Sequence, residues 1–253
     1  MERPTALVTG ATSGIGAEFA QQLGRSQHDL ILVARDVVRL EAKAVRLRTE
    51  YGVNVEVLPA DLVTDHGVAS VCARLADSAK PVSMLVNNAG FSLVNAFERN
   101  TIDEESAHLR ILAQTPMELA HAVLPGMLER GTGSIINVAS VSAFIPRGTY
   151  GAAKSWLVSF SRFANLRYGP KGVRVTAVCP GFVHTEFHER MGANMRGVRP
   201  WMWLEAGRVV RDGLAANAAG KAVSIPSRRY ATLMALNRLV PDRLAAAAGN
   251  RGR

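Results

Sequence analysis

Several features that define whole classes of protein are scarce in this chain of 253 residues. It has only 2 Cys, and the positions of Cys72 and Cys179 suit neither a metal site nor a disulfide framework. We expect both to be buried, unreactive thiols. No apolar stretch is long enough to span a bilayer, and residues 1–9 enter a strand pattern with no room for a cleavable leader. These absences predict a cytoplasmic protein.

Lysine is also scarce, since only five of the 30 basic residues are lysines. Residues 190–253 hold twelve basic and three acidic residues, so the whole net charge of +9 lies in the last quarter of the chain. A nucleic-acid-binding protein would combine a basic stripe with a reading module, and no such motif is present. We therefore predict no nucleic-acid partner.

Short apolar runs alternate with helical patterns, and no linker interrupts them. Continuous apolar runs are typical of strands covered on both faces, with the intervening helices as right-handed crossovers. The pattern predicts an α/β fold, a single doubly wound Rossmann-type domain over residues 1–253 with about seven parallel strands and helices on both faces. The predicted strands span residues 5–9, 30–34, 53–58, 82–86, 134–138, 173–178 and 222–225.

A glycine-rich turn follows the first predicted strand and precedes a helix. Its sequence is Thr9-Gly10-Ala11-Thr12-Ser13-Gly14-Ile15-Gly16. Glycines at such a turn let the backbone approach a pyrophosphate, whose charge is favourable at a helix N-terminus. The spacing differs by one residue from the common Gly-x-Gly-x-x-Gly fingerprint, so the turn alone also fits a simple tight connection.

A phenol and an ammonium group lie one helical turn apart at Tyr150 and Lys154, ten residues after Ser140. Positions four apart share a helix face, so we expect the cation to lower the pKa of the tyrosine towards the range of efficient proton transfer. Ser140 follows the predicted strand 134–138 and is placed to donate to a carbonyl or alkoxide oxygen. We predict these three residues as catalytic; the tyrosine–lysine spacing alone also fits a solvated surface pair.

Five motifs in this order resemble those of the short-chain dehydrogenase/reductases. They are the turn at 9–16, Asn87-Asn88-Ala89-Gly90, Ser140, Tyr150-x-x-x-Lys154 and Pro180-Gly181-Phe182-Val183-His184-Thr185, and the resemblance covers residues 5–186. It implies a nicotinamide cofactor and hydride transfer to or from a carbonyl carbon. It also implies a homodimer or homotetramer, often formed through the helices that contain Met117 and Trp156.

The resemblance assigns cofactor contacts to particular residues. The pyrophosphate and ribose would be surrounded by Gly10, Thr12, Ser13, Gly14, Ile15 and Gly16, the middle of the cofactor by Asn88, Ala89 and Gly90, and the nicotinamide by Pro180, Gly181, Val183 and Thr185. Tyr150 and Lys154 would lie at the nicotinamide ribose. Asp61 would meet the adenine amino group with Leu62 beside it; the alternative is that Asp61 caps the following helix.

The choice between NAD and NADP depends on residues 34–36. Ala34 occupies the position that resembles the family's discriminating acid, and Asp36 precedes a helical pattern as a cap would. Arg35 can bind a 2′-phosphate through two parallel hydrogen bonds. We therefore predict NADP(H) as the cofactor.

One departure from the family pattern lies in the proton path. The family's asparagine, which holds a water beyond the lysine, aligns with Leu112, and leucine cannot hold that water. Asn95, Asn100 and Gln114 are polar candidates for a rerouted relay. The alternative is that Leu112 fills core space and backbone groups hold the water.

A second departure is the short interval between Ser140 and Tyr150. Ser142 therefore competes with Ser140 for the carbonyl contact. We prefer Ser140 because it directly follows a predicted strand, at the carboxyl edge of the sheet.

The last quarter of the chain has the weakest pattern. We expect residues 1–185 to form the cofactor-binding and catalytic core, and residues 186–253 to form a substrate-covering loop and a basic C-terminal segment. The amphipathic stretch 228–244 fits contact with an anionic membrane surface or an acidic acyl carrier. It also fits a terminal helix packed on the sheet or on a sister subunit.

Two hypotheses of function follow. The first is an oxidoreductase that transfers a hydride between NADP(H) and a carbonyl or secondary alcohol, with a hydrophobic ketone or 3-oxoacyl compound as substrate. The alternative is an NADP(H)-binding regulatory or scaffold protein with weak or no turnover, suggested by Leu112 and the short interval after Ser140. Only the first predicts NADPH oxidation that Tyr150→Phe abolishes.

Overall fold

The computed structural model describes residues 3–186 and 198–237. It contains a seven-stranded sheet. Every pairing within it is parallel. The predicted α/β Rossmann-type fold with about seven parallel strands is therefore confirmed. The strands of this sheet are β1 Thr5–Thr9, β2 Asp29–Ala34, β3 Val55–Pro59, β4 Met84–Asn87, β5 Gly133–Val138, β6 Val173–Val178 and β9 Val223–Ser224. They lie side by side in the order β3-β2-β1-β4-β5-β6-β9. Two further strands, β7 Phe182–Val183 and β8 Trp203–Leu204, pair with each other in a separate short ladder.

Helices cover both faces of this sheet. In the described ranges they are α1 Gly14–Arg25, α2 Val37–Tyr51, α3 Asp65–Ala76, α4 Ile102–Leu109, α5 Thr115–Glu129, α6 Gly148–Tyr168, α7 Ala206–Ala218 and α8 Arg228–Asn237. Phe19 of α1, Leu40 of α2 and Val209 of α7 pack in one buried cluster. Val71 of α3 and Leu119 of α5 belong to the cluster on the opposite face. The continuous apolar runs of the strands are explained by this double cover.

The strand order changes direction beside β1. The chain moves outward from β1 to β2 and β3, then returns to β4 on the other side of β1. The loops after β1 and β4 therefore diverge at their carboxyl ends and leave a crevice between them, where ligands of open α/β sheets bind. The glycine-rich turn and Asn88 follow these two strands.

A π turn, Arg110–Gln114, joins α4 to α5. Pro116 lies at the start of α5, and it has no N–H to donate to the carbonyl of Leu112, four residues earlier. The Thr115 amide donates instead to the carbonyl of Arg110, five residues back. Wide turns of this kind often lie at functional sites. This one separates α4, which ends near Tyr150, from α5, which covers the sheet.

Two further expectations from composition can be compared with the fold. Within the described ranges, no helix is long and apolar enough to cross a membrane. Both cysteines are free; Cys179 is buried as expected, whereas Cys72 is only partly buried, so that part of the prediction was wrong. Cys72 lies on α3 at the edge of its apolar face, where helical periodicity alone leaves its exposure undetermined.

Candidate active site

The turn after β1 is held in a shape that requires glycine. Gly10 has a φ of 66°, in the left-handed region that side chains disfavour. A Cβ on Gly16 would overlap the carbonyl oxygen of Gly10, so the first turn of α1 lies against the turn that precedes it. This close approach leaves the N-terminus of α1 directly behind the loop.

Asn88 and Thr9 tie this turn to the loop after β4. The Asn88 side chain donates to the backbone oxygens of Thr9 (2.9 Å) and Gly10 (3.3 Å). The Thr9 hydroxyl accepts from the amides of Asn88 (2.9 Å) and Ala89 (3.0 Å) and donates to the Val86 carbonyl. Gly90 packs closely against Leu112. Sequence reasoning assigned Asn88 and Ala89 to a cofactor but missed Thr9, whose hydroxyl fixes the width of the crevice.

The residues of the turn fit the pyrophosphate of a dinucleotide. Ser13 is the N-cap of α1 but its side chain makes no capping hydrogen bond within the described ranges, so amides at the start of α1 are left for an anion. Thr12, Ser13, Gly14 and Ile15 are all partly exposed at this point, and Gly14 faces Thr185 from the loop after β7. The predicted pyrophosphate and nicotinamide contacts therefore border one crevice.

Within residues 34–36, the predicted cap at Asp36 is confirmed, and the phosphate contact of Arg35 stays a prediction. Asp36 is the N-cap of α2, and its side chain accepts from the Arg39 amide at 3.0 Å. Arg35 is exposed at the carboxyl end of β2. Arg39, which sequence reasoning did not consider, donates to both carboxylate oxygens of Glu186 at 3.0 and 3.2 Å and so links α2 to the loop after β7.

Asp61 lies at the carboxyl end of β3, with Leu62 buried beside it. The Asp61 carboxylate accepts from the Val63 amide at 3.1 Å. The N-cap of α3 is Thr64, whose side chain accepts from Gly67. The alternative that Asp61 caps this helix is therefore wrong, and its adenine contact stays a prediction.

Ser140, Tyr150 and Lys154 come together at the carboxyl edge of β5. Ser140 is the second residue after that strand, and its hydroxyl oxygen accepts from the Ser142 amide at 3.1 Å. Tyr150 and Lys154 lie on one face of α6, with the Lys154 ammonium 5.8 Å from the centre of the Tyr150 ring. Lys154 donates to the carbonyl of Val138 at 2.7 Å, which holds it below the end of the strand.

The pKa values of the pair differ from the sequence expectation. Burial raises the pKa of Tyr150 to about 12, although its hydrogen bond with Ser140 and the charge of Arg147 lower it. Burial also lowers the pKa of Lys154 to about 8. The expected lowering of the Tyr150 pKa by Lys154 was wrong in direction, because loss of water outweighs a cation that is engaged with the backbone. Burial therefore favours the protonated phenol at Tyr150, and Ser140 is the serine whose side chain acts to lower that pKa.

Buried polar side chains support this edge of the sheet from below. The Asn87 amide donates to Asn137 at 2.9 Å, and Asn137 donates to Ser161 on α6 at 2.9 Å. Burial raises the pKa of Cys179, beside Lys154, to about 12, so its thiol stays neutral. These bonds connect β4 and β5 to α6, while Oδ1 of Asn87 has no hydrogen-bond partner in the described ranges.

Tyr230 of α8 orders the segment that would flank the nicotinamide. Its ring packs so closely on Gly181 that a Cβ there would overlap it. Its hydroxyl donates to the Met202 carbonyl at 2.8 Å and accepts from the Phe182 amide at 3.3 Å. Pro180 is tied to residue Val141 through a backbone hydrogen bond of 3.0 Å, and Val183 is buried. The contribution of Tyr230 was not visible in the sequence.

The surroundings of Leu112 identify residues that sequence reasoning missed. Leu112 is buried in the π turn. Of the three polar candidates, Asn95 is exposed, Gln114 donates to Glu118 on the surface, and Asn100 donates to Glu105 at 2.7 Å. Glu105 and His108 are buried on α4, three positions apart on the face that continues to Leu112, and that spacing was the available signal.

The fold and this arrangement define a dinucleotide-dependent oxidoreductase, with a phenol and an ammonium at the reacting end of the crevice. A family model described as short chain dehydrogenase matches residues 4–196. The chain belongs to the short-chain dehydrogenase family, as its sequence motifs predicted.

Solved structures of similar proteins share the whole fold. A short-chain dehydrogenase from Sphingobium yanoikuyae, in complex with NADPH, is 37% identical with a TM-score of 0.85, covering 93% of this chain and 94% of that one. A bulky-bulky ketone specific alcohol dehydrogenase from Comamonas testosteroni is 33% identical with a TM-score of 0.81, covering 94% and 93%. Among proteins related in sequence, sulfoacetaldehyde reductase 2 from Chromohalobacter salexigens is 35% identical, and the match covers 72% of this chain and 73% of that protein.

Proposed function

We propose that this protein is an NADP-dependent reductase of hydrophobic ketones, acting also in the reverse direction on secondary alcohols. The observation that carries the proposal is the convergence of Ser140, Tyr150 and Lys154 at the carboxyl edge of β5, with the Lys154 ammonium 5.8 Å from the centre of the Tyr150 ring. When bound, NADPH supplies the hydride that reduces the carbonyl carbon. The NADPH complex of the Sphingobium neighbour supports the choice of cofactor.

The chain's own residues have separate tasks in this reaction. Ser140 holds the carbonyl oxygen beside Tyr150, and Tyr150 donates its proton as negative charge develops on that oxygen. A pKa of about 12 does not prevent this step, because an alkoxide is a much stronger base than a phenolate. Lys154 provides the positive charge that stabilises the phenolate left behind and binds the nicotinamide ribose.

The residues along the crevice would each hold a different part of the cofactor. The turn residues 10–16 and the start of α1 would hold the pyrophosphate, Asp61 and Leu62 the adenine, and Asn88, Ala89 and Gly90 the middle of the cofactor. Pro180, Gly181, Val183 and Thr185 would flank the nicotinamide, ordered by Tyr230. Arg35 would bind the 2′-phosphate.

The substrate class rests on two kinds of observation. Leu204 and Val183 form an apolar ladder between β7 and β8, with Trp203 stacked on His184 at 4.6 Å. The Comamonas neighbour is named for bulky ketones, whereas the Chromohalobacter relative is named for a small anionic aldehyde. A panel of an aryl alkyl ketone, a 3-oxoacyl thioester and sulfoacetaldehyde, followed by NADPH absorbance, tests the proposal. Preference for sulfoacetaldehyde would contradict a hydrophobic substrate, and inactivity across the panel would favour the regulatory alternative.

The rate of ketone reduction should fall at alkaline pH. Protonated Lys154 is needed, and its pKa of about 8 means that it loses its charge as pH rises through that value, while Tyr150 keeps its proton until about pH 12. We expect kcat/KM for reduction to be flat below about pH 7 and to fall with unit slope above about pH 8. Measuring kcat/KM across this range checks it; a rate of reduction that increases through pH 8 would contradict the assignment.

Arg35→Ala should reduce the preference for NADPH over NADH. A hydrogen bond to a charged group contributes about 1.5–3 kcal/mol. Because Arg35 is exposed, we expect the lower value, which corresponds to a change of about tenfold in the ratio of the Kd values for NADH and NADPH. The ratio of the Kd values for the two cofactors measures it, with the NADH value expected to stay constant. Arg46→Ala is the matched control, since Arg46 is an exposed arginine of α2 paired with Glu50; an equal effect there would mean that general charge is responsible.

Three other predictions belong to this proposal. The homodimer or homotetramer would form through α5 and α6, where Met117 and Trp156 are exposed at 41% and 38%. A cytoplasmic location stays a prediction.

In the basic C-terminal segment, α8 packs on the body of the protein through the buried Tyr230. This contact favours the packed helix over membrane or acyl-carrier contact for residues 228–237. Residues 187–197 and 238–253, which belong to the predicted substrate-covering loop and basic C-terminal segment, lie outside the described ranges.

A further inference from the structure

A buried acid and a buried histidine lie beside the proposed proton donor. On α4, Glu105 is 8% exposed and His108 is 1% exposed. The His108 ring is stacked against the Tyr150 ring, with centroids 6.0 Å apart and an interplanar angle of 17°. Phe91 packs on it, with the ring centroids 5.5 Å apart. The pair thus borders the reacting end of the crevice.

His108 has an unused hydrogen-bonding position. Its Nε2 is buried and makes no hydrogen bond of ordinary length and angle among residues 3–186 and 198–237, while the Phe91 backbone lies close enough to the ring to favour the imidazolium. Oε2 of Glu105 likewise has none in these ranges and lies 3.9 Å from Nδ1 of His108. An unpaired buried polar group costs about 1–3 kcal/mol, and native structures retain few of them. Of the five such atoms in the described ranges, two lie together beside Tyr150.

The other oxygen of Glu105 leads towards solvent. Asn100 donates to Oε1 at 2.7 Å, and Asn100 is partly exposed at the start of α4. Burial acts to raise the pKa of Glu105, but the hydrogen bond from Asn100, the neighbouring Thr149 side chain and the nearby His108 together lower it. Glu105 is therefore an anion that can hold a proton-carrying imidazole in place.

The charges around His108 change during the reaction, and the protonation state of its imidazole changes with them. Burial lowers its pKa, and so does Lys154 on α6, whereas Glu105 and the Phe91 backbone raise it. Tyr150, also on α6, is neutral before the reaction. Once Tyr150 has given up its proton, the phenolate is an adjacent negative charge that favours imidazolium. Proton uptake by His108 is thereby coupled to proton loss by Tyr150.

We propose that His108, held by Glu105, resupplies the proton that Tyr150 gives to the substrate in each reduction, at the place where Leu112 offers no polar group. One proton passes from solvent to Glu105, whose carboxylate Asn100 holds in place, then to His108 and, through one water, to the Tyr150 phenolate; no electrons move in this step. His108 is a positioning and relay residue, and its role rests on the proposed reductase function.

His108→Phe tests the relay because it keeps a stacked ring and removes both nitrogens. We expect kcat to fall about tenfold, less than for loss of the acid itself, with little change in KM. The solvent deuterium isotope effect on kcat should increase, because proton resupply then limits turnover. His66→Phe, at an exposed histidine of α3, is the matched control and should behave as wild type.

His108→Ala and Glu105→Gln keep the inference testable if the phenylalanine variant misfolds. Imidazole should restore the rate of His108→Ala, whereas thiophene, a ring of similar size without a transferable proton, should not. Glu105→Gln should lower kcat and shift the pH profile while retaining the bond to Asn100. Wild-type kcat with an unchanged isotope effect in His108→Phe, or equal rescue by thiophene, would overturn the relay. Inactivity of the wild type would instead refute the reductase function itself.

Discussion

Tyr150→Phe is expected to lower kcat/KM for ketone reduction by about 10³-fold, within the range of about 10²–10⁴ for loss of a general acid. The substitution removes only the phenol oxygen. The ring stays stacked on His108, and Lys154 keeps its bond to the Val138 carbonyl, so the shape of the site is preserved. Steady-state kinetics with NADPH and the best ketone of the panel measure the effect.

Cofactor binding separates this result from misfolding. The Kd for NADPH should change by at most about fivefold, the contribution of one neutral hydrogen bond. Tyr168→Phe, at the end of the same helix, is the matched control and should retain full activity. A Tyr150→Phe enzyme that binds NADPH and still reduces the ketone at the wild-type rate would eliminate Tyr150 as the proton donor.

Local sequence patterns were sufficient for much of the fold and the cofactor end of the site. The predicted strand 5–9 coincides with β1, and Asp36 caps α2 as its position before a helical pattern suggested. These features depend on neighbouring residues: strand periodicity, a cap side chain and a glycine turn are all short-range. The order of the motifs then placed Asn88 and Tyr150 at one edge of a parallel sheet, and the structure brings them there.

Features that depend on packing between distant segments were missed. Glu105 and His108 have the spacing of a solvated pair on a surface helix, and only the contact between α4 and α6 buries them beside Tyr150. The raised pKa of Tyr150 has the same origin, because the sequence gives the distance to Lys154 along a helix but not the loss of water around the phenol. Tyr230 lies 49 positions beyond Gly181 and reaches it only in the folded chain.

Gly16→Ala is expected to weaken NADPH binding by about 100-fold and to destabilise the protein. The new Cβ would overlap the Gly10 carbonyl oxygen, and Gly10 is itself fixed by its bond to the Val33 carbonyl at 2.8 Å and by Asn88. Relief therefore requires the turn to move away from the start of α1. Displacements of about 1 Å in positioning groups cost about 100-fold, and overpacking costs about 1–3 kcal/mol.

Titration calorimetry with NADPH and thermal unfolding separate the two effects. At about 2–4 °C per kcal/mol for a chain of this size, the Tm should fall by several degrees, and the loss of affinity should persist at temperatures where the variant is fully folded. Gly126→Ala is the matched control, because the nearest atom to a Cβ added there belongs to the flexible end of the Arg130 side chain; it should leave affinity unchanged and should not lower the Tm. Wild-type affinity in Gly16→Ala would mean that the pyrophosphate does not depend on the close approach of Gly16 to Gly10, and would move the cofactor site away from the carboxyl end of β1.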